Sequence, residues 1–390
     1  MARPMITIPF LLQFIISVFL SVKGDLDVDD FGAKGDGKID DSQPFLRAWS
    51  AACESHVPKT IFVPRKRYLL NGAVFQGPCN NTCIAFRLDG ILVAPDYRNM
   101  GSSSDNWLMF SGVEGLSIVG GYLDGQGSSL WACKSNGGKC PDGATSLAIY
   151  SSKDVEIKGL TSMNSKLYHI VIHTCENVKL QGVRIQASEE SPNTDGVHVQ
   201  MSKGVCILRT GIKTGDDCIS IGPGTQNLWI QGVACGPGHG ISIGSLGKGL
   251  EEEGVQNVTV KTVVFTGTQN GLRIKSWARP SSGFVRGVVF QRAVMKGVQN
   301  PIIIDQNYCP HNEDCPSQAS GVKISQVKFQ NIKGTSATKV AMKFNCSSSS
   351  PCKGIALQDI ELMYQDQLAE SFCQNVNGTT LGLVMPPSCL

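Results

Sequence analysis

The segment Val178-Lys179-Leu180-Gln181-Gly182-Val183-Arg184-Ile185 sets apolar residues at positions 1, 3, 6 and 8 of an octet. The 1,3 and 6,8 spacings are the alternation of half-buried strands, and the two-residue step between them reads as a corner. The octet returns as Leu228, Ile230, Val233, Cys235; as Val258, Val260, Val263, Phe265; as Val322, Ile324, Val327, Phe329; and as Ile355, Leu357, Ile360, Leu362. Looser copies start at Leu116, Val155 and Val205. The starts Val155, Val178, Val205, Leu228 and Val258 follow one another at intervals in the twenties, the last a little longer. Short alternating runs, such as Ile170-Val171-Ile172 and Ile302-Ile303-Ile304, come between the octets. A period in the twenties with several short strands per repeat predicts an all-β solenoid, and a right-handed parallel β-helix fits it best. A β-sandwich also has many short strands, but nothing in it requires an octet and an alternating run to recur together.

Composition agrees with that reading. The 390 residues include 43 glycines and only 7% aromatics, which favours short strands and tight turns over long helices. Solenoid ends need covers, and Asp41 to Glu54 reads as a short amphipathic N-terminal capping helix. Asp41 or Ser42 can cap it, Pro44 suits its first turn, and Phe45, Ala48, Trp49 and Ala52 share one face. Ser102 to Ser104 and Ser347 to Ser350 read as loops.

Met1 to Gly24 reads as a secretory signal peptide, leaving 25–390 as one β-helical domain. Arg3 opens the leader, Ile6 to Leu20 form an apolar run broken by Pro9 and Gln13, and small or polar residues follow to Gly24. That run is shorter than the ~20 apolar residues that span a bilayer, so no membrane partner is expected after cleavage. The net charge of +3 falls to +1 without Arg3 and Lys23, which gives nucleic acid no support.

Fifteen cysteines suit an oxidising, extracellular compartment. Cys79 with Cys83, Cys133 with Cys140, Cys309 with Cys315 and Cys346 with Cys352 are close pairs, whereas Cys53, Cys175 and Cys206 lack an obvious neighbour. Zinc is a weak rival, because there is no CxxC pair and histidine is scarce. Asn-x-Ser/Thr acceptors at Asn80, Asn257, Asn345 and Asn377 also suit secretion.

Three triplets carry the chemistry: Val197-His198-Val199, Ile219-Ser220-Ile221 and Ile241-Ser242-Ile243, with Leu272 opening a fourth. If they stack on successive coils roughly 4.8 Å apart, Asp195, Asp217 and His239 form a column two places before them, and Asn270 continues it. Arg273 and Lys275 then lie on the next coil after His239. Asp216 and Asp217 are adjacent, so both can face one cleft only if a bend or bulge interrupts the strand. Crowded carboxylates cannot all ionise easily, so at least one keeps its proton. A protonated carboxyl beside an ionised one is what a glycosidase needs. Gly236-Pro237-Gly238-His239-Gly240 lacks the ending of a phosphate loop, and no GxSxG elbow occurs.

These residues resemble the polygalacturonases of glycoside hydrolase family 28, especially the plant members. The matching motifs are Ser191-Pro192-Asn193-Thr194-Asp195-Gly196, Gly215-Asp216-Asp217-Cys218, Gly238-His239-Gly240 and Arg273-Ile274-Lys275. The opening Asp30-Phe31-Gly32-Ala33-Lys34-Gly35-Asp36-Gly37 and the later Asp305-Gln306-Asn307-Tyr308-Cys309 are also similar. The resemblance implies inverting hydrolysis of α-1,4 bonds between galacturonic acid units of pectin, without metal or other cofactor, by a secreted cell-wall enzyme acting as a monomer. It implies Asp216 as general acid, Asp195 and Asp217 as activators of water, and His239 as support for the acid. It further implies Arg273 and Lys275 as ligands of a substrate carboxylate, Asn193 and Tyr308 as subsite residues, and Cys218–Cys235 and Cys373–Cys389 bridges. A pectate lyase, a rhamnogalacturonan hydrolase and an inactive carbohydrate-binding β-helix are the rival readings.

Overall fold

The computed structural model describes residues 25–100, 105–310, 313 and 315–390. The expected leader and the loop at Ser102 to Ser104 lie outside the described residues. Among the described residues, two sheets of 19 and 11 strands, parallel apart from one antiparallel pairing of Met363 with Leu368 and Tyr364 with Gln367, wind into a right-handed parallel β-helix. The smaller sheet carries the candidate site. Its strands are β1 Ala73–Gln76, β2 Asn106–Ser111, β3 Thr145–Tyr150, β4 Ile170–His173, β5 Val197–Gln200, β6 Ile219–Ile221, β7 Ile241–Leu246, β8 Asn270–Trp277, β9 Asn300–Tyr308, β10 Val340–Asn345 and β11 Glu370–Gln374. Each pairs in parallel with the next.

The octets build the larger sheet. Val155, Val178, Val205, Leu228, Val258, Val288, Val327 and Ile355 are register partners on successive coils, and all are buried. Facing them, Leu147, Ile170, Val197, Ile219, Ile241, Leu272, Ile302 and Met342 stack in the same way from the site sheet. Each such side chain contributes roughly 1.5–3 kcal/mol of burial, so the two columns together form the spine of the core.

The corner inside each octet has one backbone cause. Position 5 is left-handed throughout: Gly159, Gly182, Arg209, Gly232, Thr262, Arg292, Asn331 and Asp359 all have φ between 51° and 71°. The residue just before position 1 is left-handed too, at Asp154, Asn177, Gly204, Asn227, Asn257, Gly287, Gln326 and Gly354. Two corners at this fixed spacing explain one misreading of the sequence. The octet expected at Val322 is displaced to Val327: Val288 pairs with Val327, and Phe290 with Phe329. Val322 and Ile324 precede the first corner, so a 1,3,6,8 pattern drawn across that corner mimics the real octet.

Helix α1 (Ser42–Glu54) caps the N-terminal end. Its buried Phe45, Ala48, Trp49 and Ala52 are the expected face, and the Trp49 ring meets Phe75 and Phe110 edge-on, each with 5.5 Å between ring centres. The expected Asp41 side-chain cap is absent, because that carboxylate accepts from the Lys34 and Gly35 N–H groups at 2.7 and 3.1 Å. Asp40 accepts from the Ser42 N–H instead, at 3.0 Å. The second helix, α2, spans Ser128–Ser135. Among the described residues no helix is long and apolar enough to cross a membrane.

Six disulfides form: Cys53–Cys79, Cys133–Cys140, Cys218–Cys235, Cys309–Cys315, Cys346–Cys352 and Cys373–Cys389. The expected neighbours Cys79 and Cys83 do not pair. Helix α1 delivers Cys53, at its last turn, to Cys79 and leaves Cys83 free with Cys175 and Cys206.

The corners and the buried histidine each yield a stability prediction. A Cβ at Gly182 would meet nothing within 4 Å, so Gly182→Ala isolates the cost of its φ of +64°. Denaturant unfolding should show a loss of about 1–2 kcal/mol. His169 is fully buried; its Nδ1 lies 2.8 Å from Ser162 Oγ, its Nε2 has no partner among the described residues, and burial lowers its pKa to about 3. The unfolded chain therefore takes up a proton below pH ~6.5 that the folded chain refuses until about 3, so stability falls with acidification across that window by up to ~1.4 kcal/mol per pH unit. His169→Gln should show a smaller drop in Tm between pH 6.5 and 4 than the unsubstituted protein.

Candidate active site

The triplets stack in the register their sequence predicts: Val197 pairs with Ile219, Ile219 with Ile241, and Ile241 with Leu272. Asp195, Asp217 and His239 therefore occupy equivalent places before β5, β6 and β7. Gly215 and Asp216 form the expected bend outside any strand, and both Asp216 and Asp217 face the same cleft. The next residue, Cys218, ties this bend to the octet end at Cys235. Gly238 is required beside it, since a Cβ there would lie 2.7 Å from the Asp216 carbonyl oxygen. That close approach lets the His239 N–H donate to the Asp216 carbonyl at 2.8 Å.

The three carboxylates have different surroundings. Asp217 is 1% exposed, and both its oxygens are engaged. Oδ1 accepts from Arg273 Nη2 and Ser242 Oγ, each at 2.7 Å, and Oδ2 accepts from Lys275 Nζ at 2.9 Å. Burial alone would push this carboxyl up, but Lys275 and Arg273 outweigh it and hold Asp217 well below the usual carboxylate range. Asp195 is buried with no ion-pair partner among the described residues. Burial first, then the charges of Asp216 and Asp217, push its carboxyl well up against the smaller pull of Ser220 and Lys275. Burial and like charge thus both favour the protonated form at Asp195. Asp216 Oδ1 accepts from the Asp217 N–H at 2.7 Å and lies 3.1 Å from His239 Nδ1, which leaves Oδ2 available to the cleft.

Asn193, Asp195, Asp216, Asp217, Lys275 and Tyr308 line one cleft of about 450 Å³. His239 and Arg273 are not among its lining residues; they contact Asp216 and Asp217. Arg273 is held by Ser242 Oγ at 2.8 Å from Nε, and Lys275 Nζ lies 5.0 Å from the centre of the Tyr308 ring. Asp216, Asp217 and His239 offer three potential metal donors within 4.8 Å. Asp217 already carries two cationic partners, so a third positive centre would meet Arg273 and Lys275.

The cleft also contains residues that sequence reasoning left unassigned. Tyr168 stacks on His198, with ring centres 5.3 Å apart, and Tyr150 packs against His173 at 5.1 Å. Tyr168 sits two places before β4, so extending the acid-base column back by one coil would have found it. Lys248 reaches the cleft from the loop after β7, and no repeat signal marks it.

A solenoid flank bearing clustered carboxylates, with cations two coils further on, has the equipment of a glycoside hydrolase for an anionic sugar. The chain belongs to the glycosyl hydrolases family 28, whose model matches residues 53–385. It is 56% identical over 390 residues to a polygalacturonase of Prunus persica, covering 100% of this chain and 99% of that protein. It is 44% identical to an exopolygalacturonase of Platanus acerifolia, covering 92% and 96%. Among solved structures, the endo-xylogalacturonan hydrolase of Aspergillus tubingensis superposes with a TM-score of 0.79 at 22% identity, covering 92% of this chain and 99% of that one. At that identity the superposition supports the fold alone.

Lys275 lowers the proton affinity of both Asp217 and Asp195. Lys275→Met should therefore shift the acid limb of the pH-rate profile to higher pH and reduce kcat/KM roughly 100-fold or more. An unshifted acid limb would show that Lys275 does not tune these groups.

Proposed function

We propose that this chain is a polygalacturonase that hydrolyses α-1,4 linkages between galacturonate units of pectin, with inversion and without a metal, as a secreted monomer acting in the cell wall. The observation that carries this reading is the two-cation clamp on Asp217, reaching it from two coils beyond the bend that presents Asp216. It supplies positive charge for an anionic sugar beside a pair of carboxyls in different protonation environments. The names of the Prunus persica and Platanus acerifolia relatives support the same substrate. Six disulfides support an oxidising compartment.

In this mechanism Asp216 gives a proton from Oδ2 to the glycosidic oxygen as the bond to the anomeric carbon breaks. A water held by Asp195 and Asp217 attacks the opposite face and passes its proton to a carboxylate. A carboxyl with raised proton affinity is the better acceptor once ionised, which suits Asp195 to that step. Asp217, kept ionised by Arg273 and Lys275, orients the water and offsets charge developing on the sugar ring. His239 positions Asp216 through Nδ1, and the proton gained by Asp195 in each turnover is returned to Asp216 by exchange with water. Asn193 and Tyr308 contact the sugar in adjoining subsites, while Lys275 meets a substrate carboxylate and Arg273 supports it through Asp217.

Asp216→Asn should lower the release of reducing ends from polygalacturonate roughly 1,000-fold while leaving thermal unfolding intact. Proton NMR of the first product should show the inverted anomer. Retained activity in this variant would remove Asp216 as the acid, and an unsaturated product absorbing in the near ultraviolet would indicate a lyase.

A further inference from the structure

The cleft runs along the solenoid, with lining residues on or beside eight successive strands from β2 to β9, seven steps of about 4.8 Å. Its charge is distributed unevenly about the catalytic carboxylates. Both cations among the described lining residues, Lys248 and Lys275, lie on the C-terminal side. On the N-terminal side the wall is built by Asp105, Asn106, Thr145, Tyr150, Tyr168 and His173, which include no lysine or arginine.

One row of equivalent positions displays the change. Tyr150, His173 and Gln200 are register partners on β3, β4 and β5, and Lys275 stands three places after Leu272 as Gln200 stands three places after Val197. The nearest lysine by sequence, Lys166, is turned inward. It is 2% exposed and donates to the carbonyls of Pro95, at 2.7 Å, and Gly125. The two histidines do not replace it as cations, because burial lowers the pKa of each below the ordinary value of 6.5. His173 Nδ1 lies 2.9 Å from Thr174 Oγ1, and His198 is bracketed by Ser220 and Gln200 at 2.7 and 3.1 Å. A free uronate entering this side would meet no cation among the described lining residues and would face the exposed carboxylate of Asp105. An esterified uronate would lose nothing there and could lay its methyl group against the Tyr150 and Tyr168 rings.

We infer that the two arms of the cleft differ in substrate charge: the C-terminal arm takes a free galacturonate carboxylate, and the N-terminal arm accepts an uncharged, methyl-esterified galacturonate. This rests on the polygalacturonase reading and assigns its specificity to Asp105 and the Tyr150–His173 wall.

The test digests polygalacturonate and randomly methyl-esterified pectin in parallel at pH 6.5 with the full chain, and locates esters in the products by tandem mass spectrometry. Esters should lie next to the new chain end on one side of the cleaved bond and be absent from the other. Asp105→Lys should shift the ratio of kcat/KM values toward polygalacturonate by about 5-fold, the scale of one exposed charge contact. Cleavage of polygalacturonate with esters excluded from both sides, or tolerated equally on both, would overturn the inference and leave the polygalacturonase reading standing. An unchanged ratio in Asp105→Lys would also overturn it. No cleavage of either substrate would overturn the parent reading and the inference with it.

Discussion

Parallel register dominates this molecule. With strands about 4.8 Å apart and no antiparallel offset, each side chain lies over its counterpart on the coil before. Valine over valine gives a dry core column, and the same rule brings Asp195, Asp217, Arg273 and Lys275 together. Segments as distant along the chain as those of Asp217 and Lys275 thus become neighbours without any long-range search for partners. The candidate active site is a local exception written into a repeating core: ionisable and polar residues replace the ordinary ones just before and within consecutive triplets.

That placement creates an electrostatic problem. Three carboxylates beside a hydrophobic core cannot be ionised together at low cost, and the structure resolves this by giving each a distinct environment. Asp217 receives two cations and a hydroxyl, Asp195 receives burial and like charges, and Asp216 receives the Asp217 N–H and an imidazole. Arg273 and Lys275 are therefore part of the stability of the site as well as of its proposed chemistry. Removing either leaves a buried charge short of a partner, which costs several kcal/mol in comparable settings.

Much of this was legible in the sequence because a solenoid restates its inward face on every coil. The octet, the triplet register and the bend at Asp216 all follow from spacing alone. The errors arise where spacing is ambiguous or irrelevant. Val322 mimics an octet start because the two left-handed corners flanking each first strand map a 1,3,6,8 pattern onto itself. Cys79 has a nearer neighbour along the chain in Cys83, but α1 folds back and brings Cys53 to it. Tyr168 is not marked by the column of Asp195, Asp217 and His239, because it lies one coil before its first member, and Lys248 is unmarked because a loop's path is not set by repeat periodicity. Arg273 was legible as a cation near the site, but its orientation behind Asp217 depends on Ser242 one coil earlier.

The unequal lengths of the coils have a wider consequence. The octets starting at Val155, Val178, Val205, Leu228, Val258, Val288, Val327 and Ile355 are unevenly spaced along the chain, yet their register is continuous from first to last. The surplus residues are absorbed in connections outside the stacked strands. Insertions and deletions there can remodel the rims of the cleft while the acid-base geometry stays fixed. Such a scaffold separates the part of the enzyme that chooses a polymer from the part that cuts it, and lets new specificities be explored without rebuilding the catalyst.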